Sequence, residues 1–179
     1  MALTAVIYNL TVELADVDRG VYETLDLRLA RHPSETAEYM LTRLLAFALE
    51  YREGIAMTEG VSSGDDPAVL VRDLTGRLVA WIEVGMPDAA RLHRARKLVE
   101  HVAVYTHRDV RQLLAQYAGQ KIHRAGDIPI YAFDRAFIDD VAATLDRRTT
   151  LSVSKTEREL YLQIGDRTFH SPVVEHRIP

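Results

Sequence analysis

The sequence contains no cysteine, which excludes disulfides, thiolate catalysis and cysteine-ligated zinc sites. This absence suits a reducing compartment, and we expect a cytoplasmic protein. No apolar run approaches the roughly 18 residues that a membrane-spanning helix needs, so no membrane association is expected. The amino terminus has no basic stretch ahead of an apolar one, and a secretory signal is not expected.

An excess of positive charge and several enzyme motifs are also missing. The formal net charge is −4, which argues against broad, unspecific adhesion to nucleic acid but leaves room for a local basic strip. The sequence has no glycine-rich phosphate loop, no His-Glu-x-x-His motif and no Gly-x-Ser-x-Gly elbow. Nucleotide-dependent, zincin-type and serine-hydrolase chemistry therefore have no motif in this chain.

What the chain does contain is enough apolar material for one sizeable core. It has 179 residues, of which 47% are hydrophobic and 27% charged, as is usual for a globular protein. We predict a single domain over residues 1–179. Its parts are an amino-terminal hairpin (1–30), a core (about 31–133) and a carboxy-terminal helix and ribbon (134–179).

The first thirty residues alternate in the way that paired β-strands do. Apolar side chains occupy every second position from Leu10 to Leu14 and again from Leu25 to Leu29. Turn-forming residues fill positions 15–20 between these two runs. The pattern predicts a β-hairpin.

The next segment predicts a helix from about Pro33 to Glu50. Apolar residues between Ala37 and Ala48 recur at the i, i+3, i+4, i+7 spacing of one helical face. With Pro33 as the first helical residue, Glu35 would meet free backbone N–H groups as a helix-start carboxylate.

Strands and helices alternate along the rest of the chain. We predict strands at 68–73 and 78–84 around a loop at 74–76, a helix after Pro87-Asp88, a strand at 102–105, a helix at 109–117, a strand at 128–133, a helix at 134–145 and a closing antiparallel ribbon through 151–164. Pro129 marks its strand as an edge or a strand start. This order predicts an α/β (or α+β) fold with a mixed central sheet flanked by helices.

Glu83 lies inside the apolar strand 78–84, where an unpaired carboxylate is costly to bury. Asp65 and Asp66 come just before the partner strand, and hairpin register decides which of them meets Glu83. A three-residue loop at 74–76 puts Glu83 opposite Pro67, with Asp65 on its face. A two-residue loop at 75–76 puts Glu83 opposite Ala68, with Asp66 on its face. We favour the first register, because glycine at the third loop position suits a left-handed residue.

Either register places the Cα atoms of the two acidic residues about 7–8 Å apart, close enough for their carboxylates to share one divalent ion. We therefore predict a Mg²⁺ (or Mn²⁺) site formed by Asp65 or Asp66 together with Glu83. The alternative is that both aspartates are loop residues beside Gly64 and that Glu83 pairs with an arginine.

The helix after Pro87-Asp88 supplies candidate cations. Arg91 lies at the edge of its apolar arc, and Arg94 is adjacent. Leu98 belongs to that arc, whereas Arg96 points more toward solvent. Arg91 and Arg94 could contact Glu83 or a bound phosphate, and the alternative is a solvated basic face.

Four residues around the start of the long helix are weaker candidates for the site. Glu38 borders the apolar face, and Glu35 has the helix-start role given above. Arg31 and His32 are adjacent polar residues just before the helix. A structural role is the simpler interpretation for each of the four.

Four strings together resemble the YaeQ family of bacterial proteins. They are Arg31-His32-Pro33-Ser34-Glu35-Thr36, Arg43-Leu44-Leu45-Ala46, Asp65-Asp66-Pro67, and Trp81-Ile82-Glu83-Val84-Gly85 with Pro87-Asp88. The first string is the most specific. The resemblance extends from the amino terminus to the tail ribbon near Leu162.

The resemblance implies a fold similar to the PD-(D/E)XK nuclease core, with an added antiparallel ribbon. In that pattern an aspartate opens one strand and an acid-x-lysine triplet lies on the next. Asp65 or Asp66 matches the aspartate and Glu83 matches the acid, but Gly85 stands where the lysine would be. An arginine of the following helix could supply the missing charge, although not a proton acceptor.

Two functions follow as hypotheses. The first is a Mg²⁺-dependent phosphodiesterase acting on nucleic acid, in which Asp65 or Asp66 and Glu83 hold the ion. Arg91 and Arg94 would clamp the phosphate. The second is a non-catalytic module that binds nucleic acid or a protein, in which the same residues form a buried ion-pair cluster. The converging carboxylates favour the first hypothesis, and the missing lysine and the acidic net charge favour the second.

Overall fold

A computed structural model describes residues 4–59 and 64–179 of the chain. These residues divide into two compact units. The hairpin unit comprises residues 4–41 and 133–173. The Glu83 unit comprises the described residues of 42–132 together with 174–179.

Ten strands and four α-helices lie in the described ranges. In chain order they are β1 (Val6–Asp16), β2 (Val21–Arg31), α1 (Ala37–Leu49), β3 (Ile55–Met57), β4 (Val69–Arg72), β5 (Leu78–Val84), α2 (Ala89–Leu98), β6 (His101–Thr106), α3 (Val110–Tyr117), β7 (Pro129–Phe133), α4 (Arg135–Thr144), β8 (Arg148–Thr156), β9 (Glu159–Ile164) and β10 (Arg167–Arg177). None of these helices has both the length and the apolar composition needed to cross a membrane.

The hairpin unit is built on strands in the order β2-β1-β8-β9-β10. β1 and β2 pair antiparallel along their whole length, which confirms the predicted hairpin, and β1 also pairs parallel with β8. β8 and β9 pair antiparallel, which confirms the predicted ribbon, and β10 pairs antiparallel with β9. Alternate residues of these strands are buried, including Leu10, Val12, Leu151 and Val153. The sheet therefore has one apolar face and one polar face.

The Glu83 unit has strands in the order β7-β6-β5-β4-β3. β3, β4 and β5 pair antiparallel, and β5, β6 and β7 pair parallel. Strands β5 and β6 are buried along most of their length and are accordingly almost continuously apolar. Helices α2 and α3 cover them with a cluster that includes Trp81, Leu92, Leu113, Tyr117 and Ile130.

Both units mix helices with strands, so the predicted α+β class is confirmed. Two strands were not predicted. β3 is only 3 residues long, too short for alternation to be recognised. β10 contains Pro172, a residue that normally argues against a strand inside a sheet.

Helix α1 begins at Ala37 and not at Pro33, so its predicted start is wrong. Oγ1 of Thr36 accepts a hydrogen bond from the backbone N–H of Tyr39 (3.1 Å). Thr36 therefore occupies the N-cap position, where a hydroxyl oxygen satisfies an N–H group that has no partner within the helix.

The helix-start role predicted for Glu35 is wrong for the same reason. Glu35 lies in the turn before α1 and is buried. Its carboxylate accepts from the backbone N–H of His32 (3.3 Å), and its own N–H donates to the His32 carbonyl (2.8 Å). Glu35 therefore closes a tight turn, and the N-cap residue of α1 is Thr36.

We expect Thr36→Ala to lower the free energy of unfolding by about 1 kcal/mol, because the helix loses its capping acceptor. Urea denaturation measures this loss as a lower midpoint. Thr36→Ser is the control, since it keeps the hydroxyl and should stay close to wild type. Equal stability of the alanine variant and wild type would contradict the assignment of the cap.

In the last turn of helix α2, the buried and exposed residues differ from those predicted. Leu98 is 66% exposed, whereas Arg96 is only 7% exposed. Nη1 of Arg96 donates to the carbonyl of Val99 (3.1 Å), and Nη2 pairs with Oδ2 of Asp127 (3.3 Å). The bond from Arg96 is the main reason that the pKa of Asp127 lies below its ordinary value. Arg96 is thus a structural residue that satisfies the end of α2.

Candidate functional site

Glu83 is held in a buried position by strand β5. Its neighbours on β5 are apolar, and its side chain lies on the same face as Trp81, two residues earlier. Glu83 is only 4% exposed. The indole N–H of Trp81 donates to Oε1 of Glu83 (2.6 Å). A buried carboxylate with this neighbour needs further compensation for its charge.

Arg91 supplies that compensation. Asp88 caps helix α2 by accepting from the backbone N–H of Arg91 (2.7 Å), which sets Arg91 in the first turn beside β5. Nε of Arg91 donates to Oε1 of Glu83 (2.5 Å), and its guanidinium carbon lies 5.9 Å from the centre of the Trp81 ring. The ion pair is one of the two alternatives that the sequence left open for Glu83.

The same guanidinium also holds the loop before β4. Nη1 of Arg91 donates to the carbonyl of Gly64 (2.6 Å), and Nη2 donates to the carbonyl of Asp66. The side chains of Asp65 and Asp66 are exposed, and neither forms an ion pair within the described ranges. Arg91 therefore joins Glu83 to the main chain of this loop, not to its carboxylates.

The electrostatics of Glu83 reflect its burial. Loss of solvent raises the pKa of Glu83 above its ordinary value, and the Trp81 hydrogen bond and the Arg91 charge offset this effect only in part. The charged carboxylate is consequently dependent on both partners. Tyr117, also buried, donates its hydroxyl to the carbonyl of Pro87 (2.7 Å), and burial raises the pKa of that phenol.

The register of the β4–β5 hairpin combines features of both predicted alternatives. Asp73 N–H donates to the Arg77 carbonyl (2.9 Å), which confirms the three-residue loop. A β-bulge between Val71 and Arg72 then shifts the pairing by one residue, so that Val69 lies opposite Ile82. Continuing this register by one residue sets Glu83 opposite Ala68, as the two-residue loop would have done. The expected pairing with Pro67 is wrong because of the bulge.

Gly85, at the position where the resemblance would place a lysine, has a backbone conformation that favours glycine. Its φ is +86°, in the left-handed region, and its N–H donates to the carbonyl of Tyr105 (2.9 Å). A side chain at this position would be strained by about 1–3 kcal/mol. The backbone at the end of β5 is therefore built for glycine.

The carboxylates do not suit a divalent ion as they lie. The cation position beside Oε1 of Glu83 is filled by the Arg91 guanidinium, and the nearby loop offers it backbone carbonyls. Within residues 4–59 and 64–179, no group of three or more His, Asp or Glu side chains is placed to hold a metal. The metal site stays a prediction.

Of the other candidates, Arg94 belongs to the Glu83 unit, whereas Arg31, His32, Glu35 and Glu38 belong to the hairpin unit. Arg94 is exposed on α2 and has no hydrogen bond to Glu83 in the described ranges. Arg31 lies over the ring of Tyr8 (5.8 Å to the centroid), and Nδ1 of His32 is 2.7 Å from Oγ of Ser34. Glu38 lies in the first turn of α1. These contacts give Arg31 and His32 local structural roles.

One cluster of ionisable residues was missed by the sequence analysis. The Tyr105 hydroxyl donates to Oε1 of Glu50 (2.9 Å), and Nε2 of His101 lies 2.9 Å from Oε2. Tyr131 packs on Tyr105 with ring centroids 4.9 Å apart, and burial raises the pKa of Tyr131. Glu50 and His101 are 51 positions apart. No local sequence spacing connects them, because they come together only in the folded chain, where His101 begins strand β6.

Comparison with known proteins identifies the family. The sequence model of the YaeQ protein family matches residues 1–173. The chain is 34% identical over 163 residues to "Uncharacterized protein YaeQ" of Escherichia coli (strain K12), covering 90% of each chain. It is 32% identical over 163 residues to the protein of the same name from Salmonella typhi, again covering 90% of each.

Two crystal structures have the same architecture. YaeQ protein from Pseudomonas syringae superposes with a TM-score of 0.85 at 30% identity, covering 96% of this chain and 95% of that one. The protein from Xanthomonas axonopodis pv. citri superposes with a TM-score of 0.88 at 27% identity, covering 98% and 100%. Sequence and structure agree with the resemblance seen in the four strings, and the chain belongs to the YaeQ protein family.

Proposed function

We propose that this chain is a non-catalytic binding module on a nuclease-like scaffold, and that its partner is nucleic acid. The observation that carries the proposal is the bonding of Glu83. Oε1 of Glu83 accepts from both Arg91 and Trp81, so the acid of the nuclease pattern serves the fold. Gly85 supports the same conclusion, because its backbone conformation disfavours a catalytic lysine.

In this proposal the Glu83–Arg91 pair stabilises the junction between strand β5 and helix α2. Arg91 extends this role to the loop, since its two terminal nitrogens hold the carbonyls of Gly64 and Asp66. Burying such a pair contributes little net stability against an apolar replacement, but it fixes one arrangement of the loop. A fixed loop is useful in a binding surface because less conformational entropy is lost on association.

A Mg²⁺- or Mn²⁺-dependent phosphodiesterase is the second candidate function. Its supporting observation is that Asp65 and Asp66 precede β4 while Glu83 lies on β5, as the PD-(D/E)XK pattern requires. Arg91 contacts both segments, so the aspartate loop and Glu83 are neighbours. For an ion to bind there, Arg91 would have to leave Glu83 and the aspartate side chains would have to turn inward.

Calorimetric titration with Mn²⁺ separates the two candidates. We expect no binding at millimolar Mn²⁺ by wild type, because Arg91 already neutralises Glu83. We also expect binding to DNA or RNA in a mobility assay to be unchanged by EDTA, with no cleavage of either.

Two variants make the titration decisive. Glu83→Gln removes the charge at the predicted site, and Glu100→Gln removes an exposed carboxylate elsewhere. Mn²⁺ binding that is present in wild type and Glu100→Gln but lost in folded Glu83→Gln would overturn the proposal in favour of the hydrolase. Failure to bind any nucleic acid would overturn the choice of partner.

A further inference from the structure

The polar face of the hairpin unit contains a groove that none of the functions above uses. It crosses strands β2, β1 and β8 and has a volume of about 540 Å³. The residues that line it are Asn9, Leu10, Thr11, Asp26, Leu27, Arg28, Arg148, Thr149 and Thr150. The groove lies entirely within one unit and does not depend on the Glu83 cluster.

Strand register places two arginines on either side of Asn9. Asn9 lies opposite Arg28 in the antiparallel pair and opposite Arg148 in the parallel pair. All three side chains share the exposed face, because paired residues lie on the same side of a sheet. The two arginine Cα atoms are therefore about 10 Å apart, two strand spacings, and their long side chains can converge over Asn9.

The two guanidinium groups are available for a ligand. Within the described ranges neither the Arg28 nor the Arg148 side chain has a hydrogen-bond or ion-pair partner, in contrast to Arg91 and Arg96. Guanidinium groups bind phosphate oxygens through paired, charge-assisted hydrogen bonds. Two such groups on either side of an amide donor match a doubly charged oxyanion.

The next row of the groove restricts the ligand further. Thr11 lies between Asp26 and Thr150, and its hydroxyl donates to Oδ1 of Asp26 (2.8 Å). This row is two residues along the strand, about 6.6 Å from the arginine row. The Asp26 carboxylate repels an extended anion but accepts hydrogen bonds from hydroxyl groups. The ligand should carry one anionic group with hydroxyls beside it.

We propose that this groove binds a phosphate ester of a polyol, with the phosphate between Arg28 and Arg148 and a hydroxyl on Asp26. Asn9 donates its amide to the phosphate, and Thr150 borders the polyol. A free sugar phosphate and the phosphorylated 5′-terminal ribose of an RNA strand both present this chemistry, since each carries a phosphate monoester beside hydroxyl groups. The groove recognises the phosphate ester and the neighbouring hydroxyl groups that both ligands carry.

The test is a titration of the ¹⁵N-labelled full chain with inorganic phosphate, ribose 5-phosphate and a short 5′-phosphorylated single-stranded RNA. We expect ribose 5-phosphate to bind more tightly than inorganic phosphate and to shift the amide signals of Asn9, Thr11 and Thr150. In Arg28→Gln/Arg148→Gln, affinity should fall at least tenfold, because two charge-assisted contacts are lost. Asp26→Asn should reduce the preference for ribose 5-phosphate over inorganic phosphate.

Arg111→Gln is the matched control, since it removes an exposed arginine from helix α3 and leaves the groove intact. It should bind like wild type. If RNA binds far more tightly than ribose 5-phosphate, with a steep salt dependence, the ligand is an RNA strand and not a free sugar phosphate. Failure of all three probes to shift the groove signals at millimolar concentration would overturn the proposal. Equal losses in the control and the double variant would also overturn it.

Discussion

Replacing Glu83 with alanine should lower the free energy of unfolding by about 3–5 kcal/mol, because it removes one partner of a buried ion pair. The Arg91 guanidinium and the Trp81 indole N–H both lose their acceptor on Glu83. For a chain of this size the melting temperature should fall by about 6–20 °C. Trp81 is the only tryptophan, so denaturation followed by fluorescence reports directly on this cluster.

Two further variants define the cause of that loss. Glu83→Leu/Arg91→Met removes both charges and should be more stable than Glu83→Ala, since no unpaired charge stays buried. Glu83→Gln keeps an oxygen acceptor for Trp81 and should also lose less. A Glu83→Ala variant as stable as wild type would show that the cluster has no role in folding and would strengthen the hydrolase candidate.

The effect of pH on Glu83→Gln has a definite sign. Burial raises the pKa of Glu83 above its ordinary value of 4.5, so the native state holds its proton to a higher pH than the unfolded chain. Between the unfolded and the folded pKa, the contribution of Glu83 to stability therefore falls as pH rises. Relative to wild type, Glu83→Gln should gain stability as pH increases through this range, and the difference should be constant above it.

Gly54→Ala is expected to destabilise the protein by about 3 kcal/mol or more, through left-handed strain combined with overpacking. Gly54 has φ of +84°, and an added Cβ would lie 1.9 Å from the carbonyl oxygen of Arg72. The backbone of β4 would have to move, breaking the bond from the Arg72 N–H to the Gly54 carbonyl (3.0 Å). Urea denaturation should show a clearly lower midpoint.

Gly76→Ala separates the two causes of that effect. Gly76 has nearly the same φ, +83°, but nothing lies within 4 Å of an added Cβ. It should therefore show only the strain, about 1 kcal/mol. If Gly54→Ala and Gly76→Ala lost the same stability, the close approach of Arg72 would be without energetic consequence.

The features that sequence predicted well are those encoded by neighbouring residues. Alternation between Leu10 and Leu14 was enough for the first hairpin, because strand period and burial coincide there. Gly76 correctly marked a three-residue loop, since its positive φ disfavours other residues. Helical geometry also placed Arg91 close to Glu83, because a strand end and the helix start directly after it are close in space.

The features that sequence failed to predict depend on distant residues or on small local shifts. Arg96 looked solvent-facing because its partner Asp127 is 31 positions away. The bulge at Val71 has no residue that marks it, yet it changes which residue lies opposite Glu83. The sequence also does not reveal that Arg91 bonds to the loop carbonyls while the side chains of Asp65 and Asp66 stay exposed.

The parallel pairing of β1 with β8 has a consequence for how the protein folds during synthesis. Glu13 and Ser152, which bond across this pair, are 139 positions apart. At about 5–20 residues per second, a ribosome needs about 7 to 28 seconds to make the intervening chain. Throughout that interval β1 lacks its second neighbour, and the unpaired N–H and C=O groups along its open edge stay available to chaperones or to other nascent chains. The first hairpin to emerge is therefore among the last elements to be completed.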